Sequence, residues 1–188
     1  MENTKKQDLG TFSDPRFVTS TEDLCKILSK CRSCYNLTLD GSLILSIQSL
    51  ENLKLPASKQ SRFFLFVNIL TGEKKKIGHW IGLCCDTEKS VCFVIDPANR
   101  FHEHQDTLTR VKQFCQLNKL QMFNYAVKFQ LEASFICGQL CCFFCAKFHS
   151  LSSFRELLEL RDVIKSYTIE FNERHMVSYI QKHYATSL

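Results

Sequence analysis

Between residues 137 and 149 the chain carries one charged side chain, Lys147, in a run made mostly of Cys, Phe, Leu, Gly and Ala. Wound as a helix, such a run is apolar nearly all round and has no face to offer to water. It belongs in the middle of a domain, so the rest of the chain has to be read as what surrounds it. With 188 residues, 45% of them hydrophobic and 16 of them Phe, the chain can bury one substantial core and is too short for two comfortable domains. A single domain over residues 1–188 is expected, with residues 1–8 as a flexible arm.

The surrounding elements can be read from periodicity. Ser20 offers an N-cap with Asp23 three residues on, ahead of Leu24, Ile27 and Leu28 at helical spacing, which predicts a short helix to about Lys30. The apolar stretch 43–50 fits helix or strand, and 52–61, with Pro56, reads as a surface loop. Runs at 63–70, 78–85 and 91–95 are strand-like, and the polar turns between them, Thr71-Gly72-Glu73 and 86–90, imply an antiparallel meander. Leu108, Val111, Phe114 and Leu117 predict a helix. Phe123, Tyr125, Val127 and Phe129 alternate as a fourth strand with one buried face. Amphipathic helices at 154–167 and 174–184 complete an α+β fold: a small mixed or antiparallel sheet packed against the central buried helix.

Composition narrows the function. No run of 18 apolar residues is present and the first residues lack the apolar stretch of a signal peptide, so a non-secreted protein of a reducing compartment, with no membrane partner, is expected. Eleven cysteines then read as buried thiols, metal ligands or a catalytic thiol rather than a disulfide scaffold. The net charge of +5, part of it in Lys74-Lys75-Lys76, fits a solvated loop better than a strong nucleic-acid footprint.

A thiol nucleophile needs a lowered pKa, a base within reach and donors for an oxyanion. Cys137 opens the buried helix, where free N–H groups and the helix dipole favour thiolate, and Gly138 lets a substrate backbone approach. Cys141, Cys142 and Cys145 lie further along that helix and are most simply core packing. His79 stands on a predicted strand and Asp96 at the end of the next. Each is bland alone, but neighbouring antiparallel strands can bring an acid against an imidazole and hold its tautomer.

With Gly78-His79-Trp80, Asp96-Pro97, Gln130 and the run Cys137-Gly138 with Cys141-Cys142 in place, the chain resembles adenain, the adenovirus-type cysteine endopeptidase family. The separations of His79 from Asp96 and of Gln130 from Cys137 match that family's. The stretch Leu9-Gly10-Thr11-Phe12 followed by Arg16-Phe17 resembles its start. The resemblance covers residues 9–17 and 78–145. Segment 18–65 is longer than its counterpart and the part after 149 shorter, as in a divergent member from another DNA virus.

The resemblance implies a papain-like architecture with Cys137 as nucleophile, His79 as general base and then acid, Asp96 orienting His79, and Gln130 donating to the oxyanion beside the backbone N–H of Cys137. The family usually has Glu where Asp96 stands, while the wider group of ubiquitin-like-protein proteases commonly has Asp. It further implies a monomer without required cofactor that cuts viral precursor or capsid proteins after small residues such as Gly, in the host nucleus and the virion. Activation by DNA and by a short viral peptide, disulfide-linked to a cysteine upstream of the oxyanion Gln, also belongs to the family. Cys115 is the nearest cysteine and is out of register. Trp80 is the candidate wall of the substrate groove.

Two other readings compete. Cys31-x-x-Cys34 and Cys142-x-x-Cys145, with His102 and His104, share zinc-ligand spacings and would make a zinc-stabilised, non-enzymatic binding protein. The second keeps the fold and changes the substrate: a protease removing ubiquitin-like modifiers from host proteins, or a transferase of acyl groups through the same thiol.

Overall fold

The computed structural model describes residues 20–29, 44–57, 60–69 and 78–185. The expected N-terminal arm, the Leu9 to Phe17 resemblance, the Thr71-Gly72-Glu73 turn, the Lys74-Lys75-Lys76 run, Cys31 and Cys34 lie outside them.

Helix α1 (Thr21–Ser29) starts as a reciprocal cap. The Asp23 N–H donates to Ser20 Oγ at 3.2 Å and the Ser20 N–H to Asp23 Oδ2 at 2.9 Å, satisfying donors that a helix start leaves open. The stretch that fits helix or strand is both: β1 (Ile44–Ser46) runs into a 3₁₀ turn (Ile47–Leu50). β2 (Arg62–Ile69), β3 (His79–Asp86), β4 (Val91–Ile95) and β5 (Gln121–Asn124) complete a five-stranded sheet in the order β1-β2-β3-β4-β5. The two inner junctions are antiparallel, as the meander predicts, and the two outer ones parallel.

Both faces of this sheet are covered, which is why its central strands read as continuous apolar runs. Phe64, Phe66, Trp80, Cys84, Phe93 and Ile95 face the central helix α3 (Cys137–Ser150) and the layer formed with it by α1, α4 (Phe154–Lys165) and α5 (Ile169–Ile180). Phe63, Leu65, Val67, Ile81, Leu83, Cys85 and Val94 face α2 (Gln105–Leu117). Ten of the fourteen residues of α3 are buried, so the central position demanded by its composition is the one it occupies. Arg62 fastens its far end: Nη1 donates to the Leu151 carbonyl at 2.5 Å, and the guanidinium lies 5.0 Å from the Phe148 ring centroid. A cation at a helix C-terminus is favourably placed.

Two boundaries differ from expectation. The predicted strand 123–129 ends at Asn124, because Ala126 takes a left-handed φ of 53° that breaks the ladder. Tyr125, Val127 and Phe129 are nevertheless all buried, so their alternation marks an inward face on a non-strand segment, whereas Phe123, on the strand itself, is 36% exposed and does not share the expected buried face. The last helix begins at Ile169 rather than near Arg174, capped by Thr168, whose hydroxyl accepts from the Phe171 N–H at 3.2 Å.

No helix among the described residues is long and apolar enough to cross a membrane.

The register of β3 leaves part of that strand unpaired on one side. β2 pairs with all of β3, from Ile69↔His79 to Arg62↔Asp86, whereas β4 pairs only from Gly82↔Ile95 onward. His79, Trp80 and Ile81 therefore run past the end of β4. Gly82, where the overhang ends, lies under the Phe64 ring: a Cβ there would stand 2.4 Å from Phe64 Cζ. Phe64 is fully buried and cannot swing away. Gly82→Ala is expected to lower stability by about 1–3 kcal/mol, measured as a shift in the denaturant midpoint.

Candidate active site

Three chain segments meet at the overhang. His79 is the first residue of β3, Asp96 is the first residue after β4, and Cys137 is the first residue of α3. On the stretch of β3 that β4 leaves uncovered, the Trp80 N–H donates to Cys137 Sγ at 3.4 Å. The thiol of Cys141, one turn further along α3, donates to the Trp80 carbonyl at 3.6 Å. The start of α3 thus occupies the place where the next strand would have paired, with its first sulfur on a main-chain donor.

Asp96 turns back at the end of β4, its carbonyl accepting from the Asn99 N–H at 3.0 Å. Its carboxylate is 3% exposed and has three donors. Oδ1 takes His79 Nε2 at 2.6 Å and the Ala98 N–H at 3.0 Å, and Oδ2 takes the Arg100 N–H at 2.7 Å. Burial alone would push the Asp96 carboxyl up, but His79 and the two backbone donors outweigh it and hold the group below its ordinary range. Burial likewise works against a charged His79; the hydrogen bonds to Asp96 and Cys137 and their charges reverse this and raise it to about 10. With Nε2 committed to Asp96, the other ring nitrogen, Nδ1, is the one left for the thiol.

Gln130 is 5% exposed and tied to the same turn, its backbone N–H donating to the Pro97 carbonyl at 3.1 Å beside that of Phe129 at 3.0 Å. Its Nε2 donates to the Ser134 carbonyl at 2.7 Å, which uses one of the two amide protons. Its Oε1 is buried with no hydrogen-bond partner among the described residues. A buried polar atom left unmatched costs about 1–3 kcal/mol. Ile136, at the N-cap position of α3, supplies no side-chain cap.

The structure thus brings His79, Asp96 and Cys137 together, with Gln130 on the connecting segment. Gly138 is buried in the first turn of α3. The Trp80 side chain is 3% exposed within the core, so the part of this residue that faces the site is its backbone, not a groove wall. Cys142 and Cys145 are buried among the aromatics of α3, and His102 is exposed. Among the described residues no cluster of three His, Cys, Asp or Glu could hold a metal ion. Cys115 lies on the opposite face of the sheet from Cys137 and is 2% exposed. Two contributors escape a reading of the sequence: the Ser134 carbonyl, which is main chain, and Glu173, which reaches the segment from 42 residues away. Phe135, 43% exposed two residues before Cys137, carried no signal either.

No protein-family model matches the chain, and no curated protein matches it in sequence. A solved structure does match in shape: an effector protein of Chlamydia trachomatis, ChlaDUB1, with a TM-score of 0.59 and 13% identity, over 98% of this chain and 94% of that one. The chain therefore shares that protein's fold. This likeness is one of fold, and it lends nothing to the adenain branch in particular.

The His79–Asp96 pair sets a pH dependence. Because His79 titrates higher in the fold than its ordinary 6.5, its stabilisation is fully present below 6.5 and is lost as pH rises toward about 10. Because Asp96 titrates lower in the fold, its contribution is present above 3.8 and lost as pH falls below that. Wild type is expected to exceed Asp96→Asn in stability at neutral pH, with the gap narrowing as pH rises from 6.5 to about 10, read from paired urea-unfolding curves.

Proposed function

We propose that the protein is a cysteine protease that removes ubiquitin-like modifiers, cleaving after the modifier's C-terminal Gly. The observation that carries this reading is the junction at the β3 overhang: the sulfur of Cys137 on the Trp80 N–H, beside an imidazole held at 2.6 Å by a buried carboxylate. The whole-length likeness to a protein whose name marks a deubiquitinase supports the substrate class.

The groups in place define the chemistry. The Cys137 sulfur attacks the Gly carbonyl, and the developing oxyanion takes hydrogen bonds from the second Gln130 Nε2 proton and the Cys137 N–H. His79 gives its proton to the departing amine nitrogen as the C–N bond breaks and a thioester remains. Water, losing a proton to His79, then attacks the thioester, releasing the modifier's carboxylate and the thiol. Asp96 keeps Nε2 occupied throughout, so proton transfer is confined to the ring nitrogen facing sulfur. The maturation endopeptidase implied by the family resemblance would use the same four residues on a different substrate.

A ubiquitin-like modifier carrying an electrophile in place of its C-terminal carboxylate is expected to form one covalent adduct, at Cys137, detected by mass spectrometry. Cys137→Ala abolishes it, and His79→Ala slows cleavage of a modifier fused to a reporter amine by about 10²–10⁴-fold. Cleavage of extended precursor peptides with no adduct to any modifier would assign the endopeptidase role instead.

A further inference from the structure

Among the described residues, Glu173 is the one buried carboxylate near the site that the reaction does not use. It stands on α5 and is 6% exposed, and none of the ion pairs among the described residues involves it. A buried carboxylate without a cation is costly, and burial pushes this one up. Its Oε2 accepts the Leu131 N–H at 2.9 Å, immediately after Gln130. Leu131 opens a tight turn closed by the Ser134 N–H on the Leu131 carbonyl at 3.1 Å. The Ser134 carbonyl then receives Gln130 Nε2 at 2.7 Å. One chain of contacts leads from Glu173 through the turn to the amide that faces the oxyanion.

The same turn carries a second carboxylate, Glu132, which pairs with Lys128 at 3.0 Å and with Arg100 at 3.8 Å. Its side chain is 71% exposed, and exposed pairs of this kind contribute little. The turn is therefore held in place from inside, by Glu173. Without that acceptor the Leu131 N–H would lose its partner, and the turn would relax to find another. Gln130 Nε2 follows the Ser134 carbonyl, so its second proton would leave the line to the carbonyl under attack.

We infer that Glu173 is a positioning residue for the oxyanion site: its carboxylate fixes the 131–134 turn and thereby aims the Gln130 amide. The inference rests on the proposed peptidase reading and adds a residue to it. Loss of a whole oxyanion donor costs about 10²–10³-fold in rate, and a misaimed donor is expected to cost about tenfold.

The test separates reactions that form an oxyanion from one that does not. Iodoacetamide alkylates Cys137 without an oxyanion, whereas a peptide aldehyde ending in Gly forms a hemithioacetal that needs one. In Glu173→Ala the aldehyde's affinity and the rate of modifier cleavage are expected to fall about tenfold, with iodoacetamide alkylation of Cys137 unchanged. Glu173→Gln keeps an acceptor oxygen for the Leu131 N–H and restores most of the loss. Unchanged aldehyde affinity in Glu173→Ala, or a parallel fall in alkylation and aldehyde affinity that Gln does not restore, would overturn the inference. A wild-type protein that alkylates at Cys137 but neither binds the aldehyde nor cleaves would instead remove the peptidase reading itself.

Discussion

A strand that outruns its neighbour has main-chain groups to spare, and the site is built on those of β3. β4 stops at Ile95, opposite Gly82, and three residues of β3 continue beyond it. Buried backbone donors and acceptors need partners. Here the partners of Trp80 are two thiols of the central helix, Cys137 on its N–H and Cys141 on its carbonyl. The end of β4 turns back through Asp96 at the same level. Sheet register, helix position and the meeting of His79 with Asp96 are consequences of one shortened strand.

Electrostatics then act on what the register has placed. Asp96 is taken out of water but given three donors, so it stays ionised and favours a charged His79. In a site of low dielectric such a pair is strengthened, and its sulfur neighbour shares the field. Gln130 joins through the carbonyl of Pro97, the residue next to Asp96. Asp96, His79 and Gln130 thus hang on two consecutive residues, 96 and 97, and Cys137 on the strand beside them.

The large features were legible in the sequence for reasons that can be named. A nearly charge-free helix has one place to go, so α3 was predictable, and three apolar runs separated by polar turns forced the central meander. The pairing of His79 with Asp96 could be anticipated because neighbouring antiparallel strands bring their ends together. The parallel outer strands could not, since β1 and β5 are short and their partners lie far along the chain. The alternation at 125–129 encodes burial, and only the backbone at Ala126 decides that it is not a strand. Trp80 has the composition of a groove wall and the location of a core residue. Glu173 was invisible because nothing in a helical stretch says that one of its carboxylates ends on a loop 42 residues earlier. The resemblance to adenain pointed to four positions that the fold gathers at one junction, while the structural likeness is to an effector protein of Chlamydia trachomatis and is one of fold.

The most direct measurement on this account is the protonation state of the His79 ring by nitrogen-15 NMR, assigned by comparison with His79→Ala. The account predicts an imidazolium at neutral pH with its Nε2 proton shared with Asp96, titrating near 10 and falling back toward 6.5 in Asp96→Asn. A neutral ring at pH 7 that titrates at or below 6.5, unmoved by Asp96→Asn, would contradict it: the buried pair at the end of β4 would then not be the element that organises the site.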